Sequence, residues 1–269
     1  MPPDRRGGIG NWLLAAFATL VFIFLMLPLL VVFPISFSSA SYLQFPPPGF
    51  SWQWYQRYFG DPDWIDSTIR SFQIAALCTA LSMLLGVPLS FLLVRSRRRG
   101  IWLLDRLAAA PIIVPTIILS IGLYSIFARL QLIGEWYGIA VAHTVLALPF
   151  VMILVGAGLR GFDESQEQAA IGLGASWATA ILRITLPQLR PSMISAGFLA
   201  FISSFDELVV AMFLSGAEKT LPKKMFDNIL MEIDPTIAAV SVTQILLVAV
   251  CLGLTTLFGK GALATTLSR

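Results

Sequence analysis

Residues 160–191 read RGFDESQEQAAIGLGASWATAILRITLPQLRP, the longest polar interruption in the C-terminal half of an otherwise apolar chain. Its residues carry the punctuation of folded structure. Asp163 is a good helix N-cap, and Gln166 can reach back to close a capping box with it. Glu164 and Glu167 fall in the first turn, where the helix dipole favours negative charge. Gly172 and Gly174 end that helix, Ser176 can cap a second, and Trp177, Ile181 and Ile184 are spaced along one face of it. Pro187 stops the second helix. The expectation is a helix–elbow–helix on a membrane surface, with Ala169, Ala170 and Gly174 as small residues where another protein can approach closely.

Outward from this elbow the chain is oily. It is 57% hydrophobic and only 12% charged, whereas a soluble domain carries about a quarter charged residues, so lipid is its main solvent. Six apolar runs, at 12–33, 67–94, 107–128, 136–159, 192–215 and 236–258, predict six transmembrane helices in an all-α membrane protein. The first is longer than a signal-peptide core of about 7–15 residues and lacks a clean A-x-A-like site, so it reads as a retained helix. Pro111 and Pro115 interrupt the third, which a helix bundle tolerates where neighbours satisfy the freed carbonyls. Residues 34–66 are rich in Pro and aromatics, including Trp52, Trp54, Tyr55, Tyr58 and Trp64. They predict an extracytoplasmic loop with a short interfacial helix, its rings anchored at the membrane–water boundary. Residues 216–235 read as a polar loop.

The net charge of +3 reflects membrane topology and not nucleic-acid binding, because the arginines sit beside the apolar runs. With six crossings, one side collects Arg5, Arg6, the RSRRR run at 95–99, Arg106, Arg160, Arg183, Arg190, Lys260 and Arg269. The other holds Arg57, Arg70, Arg129, Lys219, Lys223 and Lys224. The excess places both termini and the elbow in the cytoplasm. Cys78 and Cys251 lie inside apolar runs and read as buried small hydrophobes. One His and two Cys do not make a metal site, and His143, in the fourth run, reads as a helix–helix hydrogen bond. No G-x-x-x-x-G-K-[ST] run occurs, so ATP chemistry is not expected here.

Gln168-Ala169-Ala170, then Gly174, Ile184 and Leu186-Pro187, in this register, resemble the EAA loop of the membrane subunits of ABC importers that depend on a binding protein. One position departs: the family's leading Glu is Gln168 here, with Glu167 just before it. The resemblance covers roughly residues 65–261 and implies the type I importer permease fold, multi-pass in a bacterial cytoplasmic (inner) membrane. Residues 1–64 would precede it as a transmembrane helix and extracytoplasmic loop, and residues 262–269 would follow as a cytoplasmic tail. The implied partners are a second permease subunit in a heterodimer, two cytoplasmic ATPase subunits and an extracytoplasmic substrate-binding protein, besides membrane lipid. No cofactor is implied on this chain, since ATP and Mg would bind the ATPase subunits. Glu167, Gln168, Ala169, Ala170, Gly174, Ile184, Leu186 and Pro187 would meet the ATPase.

Asp206 and Glu207 stand inside the fifth run, in SSFDEL at 203–208. Two adjacent carboxylates at membrane depth cost several kcal/mol unless they face a cavity or a cation. On a helix they would point about 100° apart, so only one can face a central pathway squarely. A cation station on the pathway and an ion pair or helix cap are both open readings. Within the importer family the Ser-x-acid-acid set of Ser204, Asp206 and Glu207 resembles the spermidine/putrescine branch. A second acidic residue would be expected just after a third-helix proline, and there Pro115 is followed by Thr116. The resemblance therefore implies a pathway for a small polyamine-like cation lined by Ser204, Asp206, Glu207 and Thr116. An amino-acid-like amine, iron or an organophosphonate stays open as substrate of the same importer class. An ion-coupled secondary transporter would use Asp206, Glu207 and His143, but no internal repeat relates the halves. An integral-membrane enzyme would need a catalytic constellation that the spans do not assemble.

Overall fold

A computed structural model of the chain describes residues 9–96, 99–231 and 234–267, with side chains as far as residue 253. Arg5, Arg6, Arg97, Arg98 and Arg269, counted above as topology signals, lie outside the described residues, as does the side chain of Lys260. Helices make up the fold, and no β-strand occurs among the described residues. They form two compact units: one runs to Pro62 and takes in Asp227–Leu247, the other takes Asp63–Phe226 and the chain from Val248.

The first unit opens with α1 (Ile9–Ser36), whose most apolar window is 0% buried, so its surface is presented to lipid or to another chain. A loop closed by Ser39 N–H donating to the Gly49 carbonyl at 2.9 Å leads to α2 (Gln53–Gly60), the expected short helix. Two of its aromatics correct the interface-anchor reading, while Trp52 just before it stays exposed. Trp54 and Tyr58 are buried, and the Trp54 indole N–H donates to the Ser38 carbonyl at 2.7 Å. Burying an indole is tolerable because its single donor finds a carbonyl. Asp234 lies 3.2 Å from Arg57 and accepts the Thr236 N–H at 2.7 Å at the start of α13 (Thr236–Leu267). That helix carries the sixth run on through residues expected as a tail. The loop expected at 216–235 folds into α12 (Leu221–Met231), a second correction.

The second unit is built around α6 (Trp136–Arg160), 61% of whose apolar window is buried, against 22% for α3 (Pro62–Arg95). Buried residues on α6 are mostly small: Ala140, Ala142, Ala147, Val151 and Val155. Ala196 and Ala200 of α10 (Arg190–Phe205) and Cys78 of α3 pack in the same cluster as Ala147 and Val151. Lipid is as apolar as a core, so such helices associate by close packing of small residues and by hydrogen bonds. Cys78 is buried as a small hydrophobe, as expected. Trp64, expected at an interface, is 2% exposed.

The third run is bent. α4 (Ile101–Ile113) and α5 (Thr116–Arg129) meet at 108°. The cause is Pro115, whose ring disfavours helical geometry in the preceding residue; Val114 is extended at φ −75°, ψ 130°. The fifth run is also broken: α10 ends at Phe205, and three residues separate it from α11 (Val209–Leu214). The end of α11 is pinned to the turn before α6, where Gly134 N–H donates to the Leu214 carbonyl at 2.9 Å. Gly134 has φ +85°, which favours glycine, and a Cβ on Gly216 would stand a tight 3.0 Å from the Gly134 Cα.

Candidate functional site

The elbow forms as two helices with corrections at both ends. The first, α7 (Ser165–Gly172), is led by Asp163, whose carboxylate accepts the Ser165 N–H at 3.0 Å and its hydroxyl at 2.8 Å. Those two bonds hold Asp163 below its ordinary value. No capping box closes, because the Gln166 side chain accepts instead from Gln188 Nε2 at 2.7 Å, across the elbow. Gly174 makes the turn at φ +94°. Ser176 then caps α8 (Trp177–Ala180) by accepting the Thr179 N–H at 3.2 Å, as expected.

Pro187 does not stop the second helix. After α8 the chain widens into a π-helical turn, Ile181–Thr185, continues through α9 (Leu186–Gln188) and passes into α10. A proline inside an α-helix lacks its N–H and crowds the carbonyl a turn earlier. The wider turn just ahead of Pro187 relieves that conflict, and a turn at Leu189 separates α9 from α10.

Glu167, in the first turn of α7 as expected, is the centre of the elbow. Only 6% exposed, it receives two hydrogen bonds from the Arg95 guanidinium, at 2.8 and 2.7 Å, and a third from the Thr185 hydroxyl. The paired fork of Arg95 matches the two carboxylate oxygens, the strongest common form of this contact. Burial pushes the Glu167 carboxyl up, but the bonds from Arg95 and Thr185 and the Arg95 charge outweigh it and hold the group below the ordinary carboxylate range. Gln168 and Ala169 face outward, with Gly174, and Ala170, Ile184, Leu186 and Pro187 are half-buried. Leu173 is 91% exposed and Trp177 63%, a strongly apolar, exposed tip.

The second candidate set lies at the break in the fifth apolar run. Among the described residues four helices, or five with the bent pair α4–α5, are long and apolar enough to cross a membrane, and neither α10 nor α11 is one of them. Asp206 and Glu207 are not on a helix, which corrects the geometry expected for them. Glu207 folds forward and caps α11, accepting the N–H groups of Val209 at 3.0 Å, Val210 at 2.8 Å and Ala211 at 3.2 Å. His143 of α6 stands behind it, with Nε2 3.5 Å from the Glu207 carboxylate and Nδ1 2.9 Å from the Ser204 hydroxyl. The expected helix–helix bond of His143 is therefore made, to Ser204. Asp206 is exposed, and no hydrogen bond or ion pair engages its carboxylate among the described residues. Ser204 and Glu207 are thus brought together through His143, while Asp206 turns away. Thr116 is the first residue of α5, half-buried, its carbonyl accepting the Ser120 hydroxyl at 2.7 Å.

A sequence-family model for the inner membrane component of binding-protein-dependent transport systems matches residues 82–263, from within α3 into α13. The chain belongs to this family. Among curated proteins it is 30% identical over 233 residues to a spermidine/putrescine transport system permease protein, PotC, of Haemophilus influenzae, covering 86% of this chain and 90% of that protein. It is 33% identical over 228 residues to the putrescine transport system permease protein PotI of Escherichia coli, covering 82% and 81%. A molybdenum transport system permease protein, ModB, of Mycobacterium bovis is 31% identical over 200 residues, 68% of this chain and 75% of that one. Among solved structures, a bacterial ABC transporter involved in the import of the acidic polysaccharide alginate aligns with a TM-score of 0.73 at 20% identity, over 94% of this chain and 97% of that one. That likeness shows the permease fold. The chain is a multi-pass inner-membrane transport subunit of the ABC importer class, resembling the spermidine/putrescine permeases, and ATP hydrolysis belongs to separate subunits.

Two residues escaped the sequence reading. Arg95 was counted as one of a cationic run, and nothing in RSRRR marks which arginine turns inward. Thr185 had no signal. The departure at the head of the EAA-like motif did point to Glu167, which is the buried carboxylate, with Gln168 outside.

Proposed function

We propose that this chain forms half of the pathway of an ATP-driven importer for a small polyamine-like cation, with Asp206 as the carboxylate that meets the passing ammonium group. In this reading the chain crosses the membrane six times with both termini cytoplasmic. It pairs with a second, similar permease subunit, and the tip at Gln168, Ala169, Leu173 and Gly174 docks an ATPase subunit that holds ATP and Mg. A substrate-binding protein delivers the cargo from outside. The observation that carries the substrate reading is the exposed, unengaged Asp206 at the break of the fifth span, in a chain whose relatives include PotC and PotI. Glu207 is not the cargo ligand here, because its oxygens are taken by the backbone of α11. The similarity to a molybdenum permease supports the importer class without choosing the cargo.

Uptake of labelled spermidine by the complete importer in vesicles, with ATP inside, tests it. At matched membrane abundance, Asp206→Asn lowers uptake about tenfold, the weight of one charged hydrogen bond of roughly 1.5 kcal/mol. Full uptake by Asp206→Asn removes the polyamine reading and leaves the importer class in place. Orientation is tested separately with single cysteines: Ser165→Cys is labelled only from the cytoplasm and Asp61→Cys only from outside. Labelling of position 165 from outside intact cells reverses the topology.

A further inference from the structure

A long-range ion pair at the elbow joins three segments. Arg95 is the last residue of α3, and its guanidinium rests 5.0 Å from the Phe91 ring centre and 6.0 Å from that of Phe162. Its side chain is only 17% exposed, and its Nε lies 4.0 Å from Glu164. From there it reaches the buried Glu167 on α7, which also takes the Thr185 hydroxyl from the π-helical turn. Helix α7 otherwise packs on α8 and on that same turn, both parts of the elbow itself. The side chain of Arg95 is thus a link from α7 to a membrane span far away in sequence.

We infer that Arg95 is a positioning residue that fastens the elbow to the cytoplasmic end of α3, so that a displacement of α7 moves α3 instead of tilting α7 on its own hinges. The physical ground is stiffness. A two-pronged, shielded guanidinium–carboxylate contact fixes orientation as well as distance, which a single ammonium contact does not. The third bond from Thr185 stops the carboxylate from turning with the arginine. The Phe91 and Phe162 rings add cation–π contacts to the guanidinium. The elbow and α3 therefore move as one body only while all three groups are joined. This rests on the reading that an ATPase pushes on the elbow.

Two measurements test it on the whole chain. In lipid nanodiscs without partners, amide hydrogen exchange of residues 165–172 is expected to speed up at least about tenfold in Arg95→Ala and less in Arg95→Lys, which keeps charge but loses the fork. Thr185→Val, which keeps the ion pair, gives the smallest increase. In the complete importer, spermidine taken up per ATP hydrolysed falls in the same order. Unchanged exchange in Arg95→Ala overturns the inference. So does faster exchange with an unchanged ratio of uptake to hydrolysis, because a purely structural residue lowers both together. Should Arg95→Ala fail to accumulate, Arg95→Lys and Thr185→Val decide by the same two readouts. If the native chain shows no ATP-dependent uptake, the importer cargo reading fails, and the exchange arm alone decides whether Arg95 holds the elbow.

Discussion

The elbow and the break in the fifth apolar run each contain two adjacent polar residues, and each turns one in and leaves one out. Glu167 is buried while Gln168 is exposed; Glu207 is engaged while Asp206 is exposed. The two engaged carboxylates, Glu167 buried and Glu207 half-buried, are satisfied by different means. Glu167 takes its partners from residues 72 and 18 positions away, a cation and a hydroxyl on separate segments. Glu207 takes three amides from residues two to four positions ahead of it. The first carboxylate therefore ties distant parts of the chain together, and the second shapes only its own turn. The same residue type becomes a long-range fastener or a local cap according to which donors the fold delivers to it.

The largest effect that separates them is expected at Glu207. Replacing it by Ala leaves three N–H groups of α11 without their acceptor, at about 1–3 kcal/mol for a buried unsatisfied group. Membrane abundance and the unfolding temperature in detergent both drop, and Glu207→Gln recovers part of the loss because its amide oxygen still accepts. Normal abundance and stability of Glu207→Ala breaks the comparison at once, since the cap would then hold nothing.

Glu167→Ala comes next. It strands Arg95 in a shielded site, and a cost of about 2–3 kcal/mol is expected, less than the 3–5 typical of a fully buried pair because Arg95 keeps some water contact. The loss shows as faster exchange over α7, with α11 unaffected, which sharpens the contrast between fastener and cap. A pH series adds a sign. The Glu167 carboxyl is lowered in the folded chain, so its contribution is fully present above the ordinary carboxylate range and is lost as pH falls through the lowered folded value. Protection of α7 is thus flat from neutral pH down to about 5 and declines from there as pH falls toward the lowered folded value. A decline already between pH 7 and 6 points to a different group.

The smallest effect is expected at Gly174. No atom would meet a Cβ there, so Gly174→Val pays only for φ +94°, about 1–2 kcal/mol, and Gly174→Asn less. Circular-dichroism melting of the two variants measures it. Equal stability of Val and Gly at this position means that the elbow relaxes to another turn.

Much of this protein is written locally in its sequence. The apolar runs, the helix–elbow–helix, the Ser176 cap, the short helix after the first span and the membership in the importer family all follow from composition and from patterns a few residues long. Helix ends, hydrophobic length and motif register are short-range properties, and one chain suffices to read them. The partners of each polar side chain were not legible in this way. Gln166 had a good local partner in Asp163 and bonded Gln188 instead. Pro187 looked like a stop, and a π-helical turn absorbed it. Trp54 and Trp64 looked like membrane anchors and were buried in the fold. Above all, the roles of Arg95, Glu167, Asp206 and Glu207 depended on which donors and acceptors tertiary packing brought within about 3 Å, the range in which a hydrogen bond forms. A buried charge must find its counter-charge or its amides wherever the fold supplies them, and that choice is made in space and not along the chain.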